Sequence, residues 1–399
     1  MSEAVKTISL ALQGGGTHGA FTWGALDTLL RCPDLNIDAI SGTSAGAVNA
    51  AVLLSAWRKA SFEGHSDDIA KAVGLQNLAL FWQALSQSPV AGLGASHWFD
   101  PLGVFKNTPW DPAIWTGSKS SMLLQYSPGF VMADWMTRLA SPYEFNPTGW
   151  NPLKTLLEQF IDPDVFLQPL KQDMAIIPKL FVSATQVETG QVRVFDESEL
   201  SSTVLMASAC LPFLFQAVEI EGKHYWDGGY TGNPALMPLI KAYRNKVFKC
   251  NLGKNKLSKD KILKRKDVAQ VPDLQDIVMI AINPVEREAV PTQSRDILNR
   301  IHEISFNSSL AMEWRGIEQV NRWFENPDSA SIAMQHGYHP VKLHCIDGTI
   351  PETANLADLD PSSKWQVDER FLTALFQSGQ QAAQDWLTSA FKSETASKN

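Results

Sequence analysis

The strongest constraint on the fold lies in the first 60 residues, where two short glycine-rich turns each join a β-type run to a helical one. Residues 7–12 and 37–41 are apolar runs of the length of buried strands, and residues 19–31 and 45–57 carry helical patterns. Two successive strand–turn–helix units favour an α/β sheet with a parallel part. The predicted fold class is therefore α/β.

The second turn places a serine between two glycines, in the order Gly42-Thr43-Ser44-Ala45-Gly46. In a G-x-S-x-G elbow, the glycines leave room for a sharp strand-to-helix turn that presents the serine hydroxyl, and the helix N-terminus behind it favours negative charge. The alternative is that Ser44 only caps the following helix. Its position between a β-run and a helix of small residues favours a nucleophile.

The first turn, QGGGTHG at residues 13–19, offers bare backbone N–H groups to an oxyanion. Gly14, Gly16 and Gly19 also fit the G-x-G-x-x-G pattern of dinucleotide-binding folds. That alternative expects an acidic residue at the end of the second strand, and residues 41–44 (SGTS) contain none. We therefore favour an oxyanion hole built from Gly14, Gly15 and Gly16.

A nucleophilic serine needs a base, and two kinds of candidate are present. Four histidines lie late in the chain, outside any evident catalytic motif: His302, His336, His339 and His344. Asp227 is more suggestive, because it follows a predicted strand at residues 223–226 and precedes two glycines. Such a turn would direct its carboxylate into a cleft, although a plain Asp-Gly turn is the alternative.

The order GGGxxG, GxSxG and a distant Asp-Gly-Gly resembles the patatin-like phospholipase family. Two weaker segments agree, LFVSAT at residues 180–185 and ASACLPFLF at residues 207–215, so that the resemblance spans about residues 7–236. The resemblance implies a three-layer α/β/α fold with a mainly parallel central sheet. It also implies a serine acyl hydrolase that cleaves carboxylic esters of lipids, of phospholipase A or lysophospholipase type, without a metal or cofactor.

The same resemblance implies roles for individual residues. Ser44 would be the nucleophile and Asp227 the base of a Ser–Asp dyad. The oxyanion hole would comprise Gly14, Gly15, Gly16 and Thr17. The supporting motif positions are His18, Gly19, Gly42, Gly46, Gly228 and Gly229. The family usually carries Arg or Lys where this chain has His18, which puts a fixed positive charge near the oxyanion hole in doubt.

We expect residues 1–399 to form a single unit. Within it, residues of about 81–170 are predicted to form a partly helical, cap-like insertion, since six of the 13 tryptophans lie between residues 81 and 150. These rings would either contact the acyl chain or pack within the cap itself. A basic loop is predicted at residues 241–270, either solvated or in contact with anionic headgroups. Residues 271–399 would complete the sheet and the helical layer.

Composition narrows the classes of partner. A net charge of −8 argues against a nucleic-acid-binding protein, and the four scattered cysteines suggest reduced thiols. No run approaches the roughly 18 apolar residues of a membrane span. We therefore expect a cytoplasmic protein whose contact with membranes is peripheral and whose partner is a lipid or lysolipid ester. The alternatives are a Rossmann-like dinucleotide-binding protein and a catalytically silent protein with a hydrolase fold.

Overall fold

The centre of the protein is an eight-stranded sheet. The structure, a computed structural model, describes residues 5–88, 140–169, 177–254, 275–287, 290–292, 294–348, 356, 359 and 361–391. The strands are β1 (Lys6–Leu12), β2 (Leu35–Thr43), β3 (Lys179–Gln186), β4 (Gln191–Asp196), β5 (Val218–Ile220), β6 (Lys223–Asp227), β7 (Gln275–Ile280) and β8 (Val341–Ile346).

The strand order is β5-β6-β3-β2-β1-β7-β8, with β4 paired to β3 away from this path. The five strands from β3 to β8 in this order run parallel, whereas β4, β5 and β6 pair antiparallel. The central strand β1 is buried from Ile8 to Leu12, as expected of a parallel strand covered on both faces. The predicted α/β fold with a mainly parallel sheet is confirmed.

Helices cover both faces of the sheet. They are α1 (Gly19–Leu30), α2 (Ala45–Phe62), α3 (Asp67–Gln87), α4 (Pro142–Phe145), α5 (Pro152–Phe160), α6 (Asp164–Leu167), α7 (Ser202–Ser208), α8 (Met237–Lys254), α9 (Ser294–Asn321), α10 (Pro327–Gln335) and α11 (Glu369–Trp386). Leu10 of β1 belongs to the core that contains α1, α2, α3 and α11. Its neighbour Ala11 faces the opposite way, into a second core with Leu239 and Leu310. The predicted three-layer arrangement is confirmed.

The first residues of the predicted insertion belong to a core helix. Phe81 and Trp82 lie in α3 and are buried in the main core, where Trp82 Nε1 donates a hydrogen bond to Asn49 Oδ1 at 2.9 Å. The boundary at about residue 81 is therefore wrong, because tryptophan content does not distinguish a cap from the end of a core helix. Residues 89–139, which carry four of the six tryptophans, lie outside the described residues.

The predicted basic loop at residues 241–270 is wrong over its first half. The helix α8 continues to Lys254, and residues 255–274 lie outside the described residues. Lysine and arginine are good helix formers, so a dense positive charge alone does not end a helix. Among the helices that the structure describes, none has the length and apolar character needed to cross a bilayer.

Candidate active site

Strand register brings the predicted site residues to one edge of the sheet. Leu12 of β1 pairs with Gly42 of β2, so the turns that follow these two parallel strands lie side by side. Thr43 in turn pairs with Ser183 of β3, and the next residue of β3, Ala184, pairs with Asp227 at the end of β6. Residues from three distant parts of the sequence therefore meet beside Ser44.

Ser44 occupies a strained turn between β2 and α2. Its backbone has φ 51° and ψ −122°, a conformation that residues other than glycine rarely adopt. A Cβ atom at Gly42 would lie 2.7 Å from the backbone nitrogen of Ala47, and one at Gly46 would collide with the carbonyl oxygen of Leu12. The two glycines of G-x-S-x-G are therefore required by the close packing of β1, β2 and α2.

The side chain of Ser44 does not cap α2. Instead its hydroxyl lies close enough to the carboxyl group of Asp227 to lower the pKa of that group. The backbone N–H of Ser44 donates to Ser208 Oγ at 2.9 Å, and Ser208 Oγ donates to the carbonyl of Ser183 at 2.7 Å. This chain of hydrogen bonds holds the strained turn and leaves the Ser44 hydroxyl beside a carboxylate.

Asp227 is buried, with 1% of its surface exposed. Burial raises the pKa of its carboxyl group to about 7, while the hydrogen bond from Gly229, the nearby hydroxyl of Ser44 and the charge of Lys364 act in the opposite direction. The backbone N–H of Gly229 donates to Asp227 Oδ1 at 2.7 Å. A buried carboxylate with a pKa near 7 is suited to accept a proton at neutral pH.

The two glycines after Asp227 are required by packing. A Cβ atom at Gly228 would collide with the carbonyl oxygen of Ser183, and one at Gly229 would lie 2.5 Å from the ring of Phe306. The turn that carries the carboxylate is thus wedged between β3 and α9, which fixes its position relative to Ser44.

Three of the four late histidines have other side-chain partners. His344 Nε2 lies 2.7 Å from Asp276 Oδ1, and His339 Nε2 lies 2.9 Å from Gln275 Oε1. The ring of His302 packs against Phe213 and Tyr230. No histidine within the described ranges hydrogen-bonds to Ser44 or Asp227.

The glycine loop between β1 and α1 lies directly against the serine, since a Cβ atom at Gly14 would be 2.7 Å from Ser44 Cβ. The N–H of Gly14 donates to Asn233 Oδ1 at 2.7 Å. Because this N–H already has an acceptor, Gly14 is not available as an oxyanion donor. The N–H groups of Gly15 and Gly16 have no hydrogen-bond acceptor in the part of the chain that the structure describes, and Gly16 has φ 60°.

The remaining loop residues are held by a distant segment. Thr17 Oγ1 donates to the carbonyl of Ser363 at 2.9 Å, and His18 Nε2 lies 2.7 Å from Ser363 Oγ. Burial, together with the nearby charge of Lys364, lowers the pKa of His18 to about 3. Position 18 therefore carries a neutral imidazole. Gly19 allows α1 to approach α2 closely, because a Cβ atom at Gly19 would lie 2.8 Å from the Cβ atom of Ala45.

Sequence reasoning missed four residues that support the site: Ser208, Asn233, Asn283 and Lys364. Asn283 Nδ2 donates to the carbonyl of Gly14 at 2.6 Å and thus anchors the loop from the segment after β7. Asn233 lies six residues after Asp227, where its proximity to the Asp-Gly-Gly turn was a usable signal. Ser208 lies in the segment at residues 207–215 that resembles the family, whereas Asn283 and Lys364 carry no local motif.

The arrangement combines a hydroxyl, an adjacent base and unoccupied backbone donors, which are the components of acyl transfer. Such a site needs no metal ion to generate its nucleophile. Across the described residues, no group of three His, Cys, Asp or Glu side chains is placed to hold a metal ion.

Comparison with known proteins places the chain in a family. The family model described as Patatin-like phospholipase matches residues 10–240, more than half of the 399 residues. No curated protein matches the sequence. Among solved structures, VipD from Legionella pneumophila is 13% identical with a TM-score of 0.29, covering 93% of this chain and 67% of that one. The heterodimeric complex ExoU–SpcU from the type III secretion system of Pseudomonas aeruginosa gives 17% identity and a TM-score of 0.27, covering 83% of this chain and 58% of that one. By the match to the family model, this chain belongs to the patatin-like phospholipase family.

Proposed function

We propose that this protein hydrolyses carboxylic esters of lipids, with phospholipids or lysophospholipids as substrates, through a Ser44–Asp227 dyad. One observation carries the proposal. The hydroxyl of Ser44, on a strained turn at the N-terminus of α2, lies beside a buried carboxyl group, that of Asp227, whose pKa is raised to about 7. Membership of the patatin-like family supports a lipid ester as the substrate.

The chemistry follows from this pair. As Ser44 Oγ attacks the ester carbonyl carbon, its proton passes to Asp227 and negative charge develops on the carbonyl oxygen. The backbone N–H groups of Gly15, Gly16 and Thr17 are the proposed donors to that oxyanion. The proton on Asp227 then passes to the leaving alcohol as the acyl-enzyme forms.

A second half-reaction regenerates the enzyme. Asp227 removes a proton from water, the resulting hydroxide attacks the acyl carbon, and the proton returns to Ser44 as the fatty acid leaves. Each step conserves protons without any group beyond the dyad and water.

Two alternatives make different predictions. A dinucleotide-binding protein would be stabilised by NAD or FAD, with a rise in melting temperature. Against it stands the close contact of Gly14 with Ser44, which turns the glycine loop towards the serine. A catalytically silent protein would show neither a dinucleotide-dependent shift nor turnover.

A substrate panel tests the proposal. Purified protein would be assayed against p-nitrophenyl esters of increasing acyl length, a diacyl phospholipid and a lysophospholipid, with Ser44→Ala as the blank. We expect release of alcohol and fatty acid above that blank. Equal rates for both proteins on every substrate would refute the proposed function.

The dyad also predicts a pH dependence. The attack requires the ionised form of Asp227, so kcat/KM for a soluble p-nitrophenyl ester should fall about tenfold for each pH unit below the pKa. Since the pKa of Asp227 is about 7, activity should rise through neutral pH. A soluble ester avoids pH effects on lipid packing. A rate that stays constant from pH 5 to 8 would contradict the role of a buried carboxylate.

A further inference from the structure

A lysine lies against the glycine loop although it is far away in the sequence. Lys364 belongs to the short 3-10 helix Pro361–Trp365, beyond the residues 10–240 that match the family model. It is half-buried, and its Nζ donates to Asn283 Oδ1 at 2.7 Å. Its carbonyl oxygen lies 2.5 Å from the position of a Cβ atom at Gly16. The segment therefore contacts the loop that flanks Ser44.

The contacts extend over three consecutive loop residues. Besides Gly16, Thr17 and His18 hydrogen-bond to the carbonyl and the hydroxyl of Ser363. Asn283 accepts from Lys364 through Oδ1 and donates to the carbonyl of Gly14 through Nδ2, at 2.6 Å. One amide thus connects the ammonium group of Lys364 to the loop.

The charged groups that act on Lys364 are Glu303, Arg287 and Asp227. Glu303 faces it but is already paired with Arg287 at 2.6 Å and Arg300 at 3.0 Å. Asp227 contributes the other negative charge, and it stabilises the protonated lysine. The imidazoles of His18 and His302 both have lowered pKa values, so neither adds a positive charge at neutral pH.

We propose that Lys364 is a positioning residue of the active site. Its hydrogen bond to Asn283 holds the oxyanion loop against Ser44, and its ammonium group places a positive charge near this loop, where His18 is neutral. The inference rests on the proposed function of Ser44 and Asp227. A fixed cation close to a developing oxyanion lowers the barrier to attack, because charges interact strongly where water is excluded. The same cation favours the ionised form of Asp227.

Two substitutions separate charge from packing. Lys364→Met keeps the side-chain stem and removes the charge, whereas Lys364→Arg keeps the charge. We expect Lys364→Met to lower kcat for a soluble ester by about 10- to 100-fold, less than loss of a direct oxyanion donor, with little change in KM. Lys364→Arg should restore most of kcat. As a matched control, Lys71→Met replaces a partly exposed lysine paired with Asp67 on α3, and wild-type kinetics are expected.

The pH profile distinguishes an electrostatic role from a merely structural one. Without the cation, the pKa of Asp227 should rise, so the acidic limb of kcat/KM should move to higher pH in Lys364→Met. Burial lowers the pKa of Lys364 to about 8, so the wild-type rate should fall at more alkaline pH. That alkaline limb should move upward in Lys364→Arg, because arginine stays protonated.

Each outcome decides the inference. A folded Lys364→Met protein with wild-type kcat and an unshifted pH profile of kcat/KM would overturn it. Equal losses of kcat in Lys364→Met and Lys364→Arg, without a shift of either pH profile, would also overturn it. If the wild type is active and either result is obtained, only the role of Lys364 is refuted and the proposed function stands. A wild type without turnover removes the proposed function, and this inference with it.

Discussion

Replacement of Ser44 by alanine should lower kcat for a soluble p-nitrophenyl ester by at least about 10⁴-fold, because loss of a nucleophile removes the whole covalent route. The substitution removes one oxygen atom and leaves the Cβ atom against Gly14 unchanged. The backbone N–H that donates to Ser208 also remains. The fold and the strained turn should therefore persist, and circular dichroism with a thermal melt would verify this.

A second serine on α2 provides the control. Ser61 Oγ donates to the carbonyl of Trp57, four residues earlier and far along the helix from Ser44. Ser61→Ala should retain wild-type kcat. If Ser44→Ala retained more than about a tenth of kcat, which is only about 1.4 kcal/mol in barrier height, another nucleophile would have to be sought.

Replacement of Asp227 by asparagine should lower kcat by at least about 10³-fold, because an amide cannot accept the proton of Ser44. Asparagine has the same shape, and its Oδ1 can still accept the hydrogen bond from the N–H of Gly229. Asp68→Asn, on the exposed first turn of α3, serves as the control and should leave turnover unchanged. Wild-type activity in Asp227→Asn would point to a base other than this carboxylate.

The same substitution should change stability in a pH-dependent way. The native carboxyl keeps its proton up to about pH 7, whereas the unfolded chain releases it near 3.8. Between these values the native state binds more protons, so this group makes the wild type less stable as pH rises. Asp227→Asn should therefore be more stable than the wild type at pH 8, by at most about 4 kcal/mol, and the difference should shrink towards pH 4. Urea unfolding at both pH values would measure it, and a difference independent of pH would contradict the buried carboxylate.

Local patterns in the sequence were enough for much of the fold. The strand–turn–helix units before residue 60 were predicted because apolar runs and small-residue turns specify strands and helices over short distances. The strand predicted at residues 223–226 forms as Lys223–Asp227. The predicted boundary near Phe81 was wrong. The burial of this ring depends on the packing of α3 against α2, which the composition of the segment does not reveal.

In the active site too, the residues with local motifs were predicted and those that depend on long-range contacts were not. Ser44 and Asp227 were found through glycines whose small size is needed locally, at Gly46 and Gly228. The contact of Asn233 with Gly14 joins residues 219 positions apart, and that of Lys364 with Asn283 joins residues 81 positions apart. Such contacts depend on strand order and on the docking of helices, which a single sequence does not display. For that reason Gly14 was assigned as an oxyanion donor although its N–H is already used.

Covalent labelling tests the central claim most directly. The wild-type protein would be treated with a fluorophosphonate, and its intact mass and peptide map would be recorded beside those of Ser44→Ala and Asp227→Asn. The Ser44–Asp227 dyad predicts one adduct per chain on Ser44, none at that position in Ser44→Ala and much slower labelling in Asp227→Asn. A folded wild-type protein that takes up no label, or that carries its adduct on a peptide without Ser44, would contradict the account.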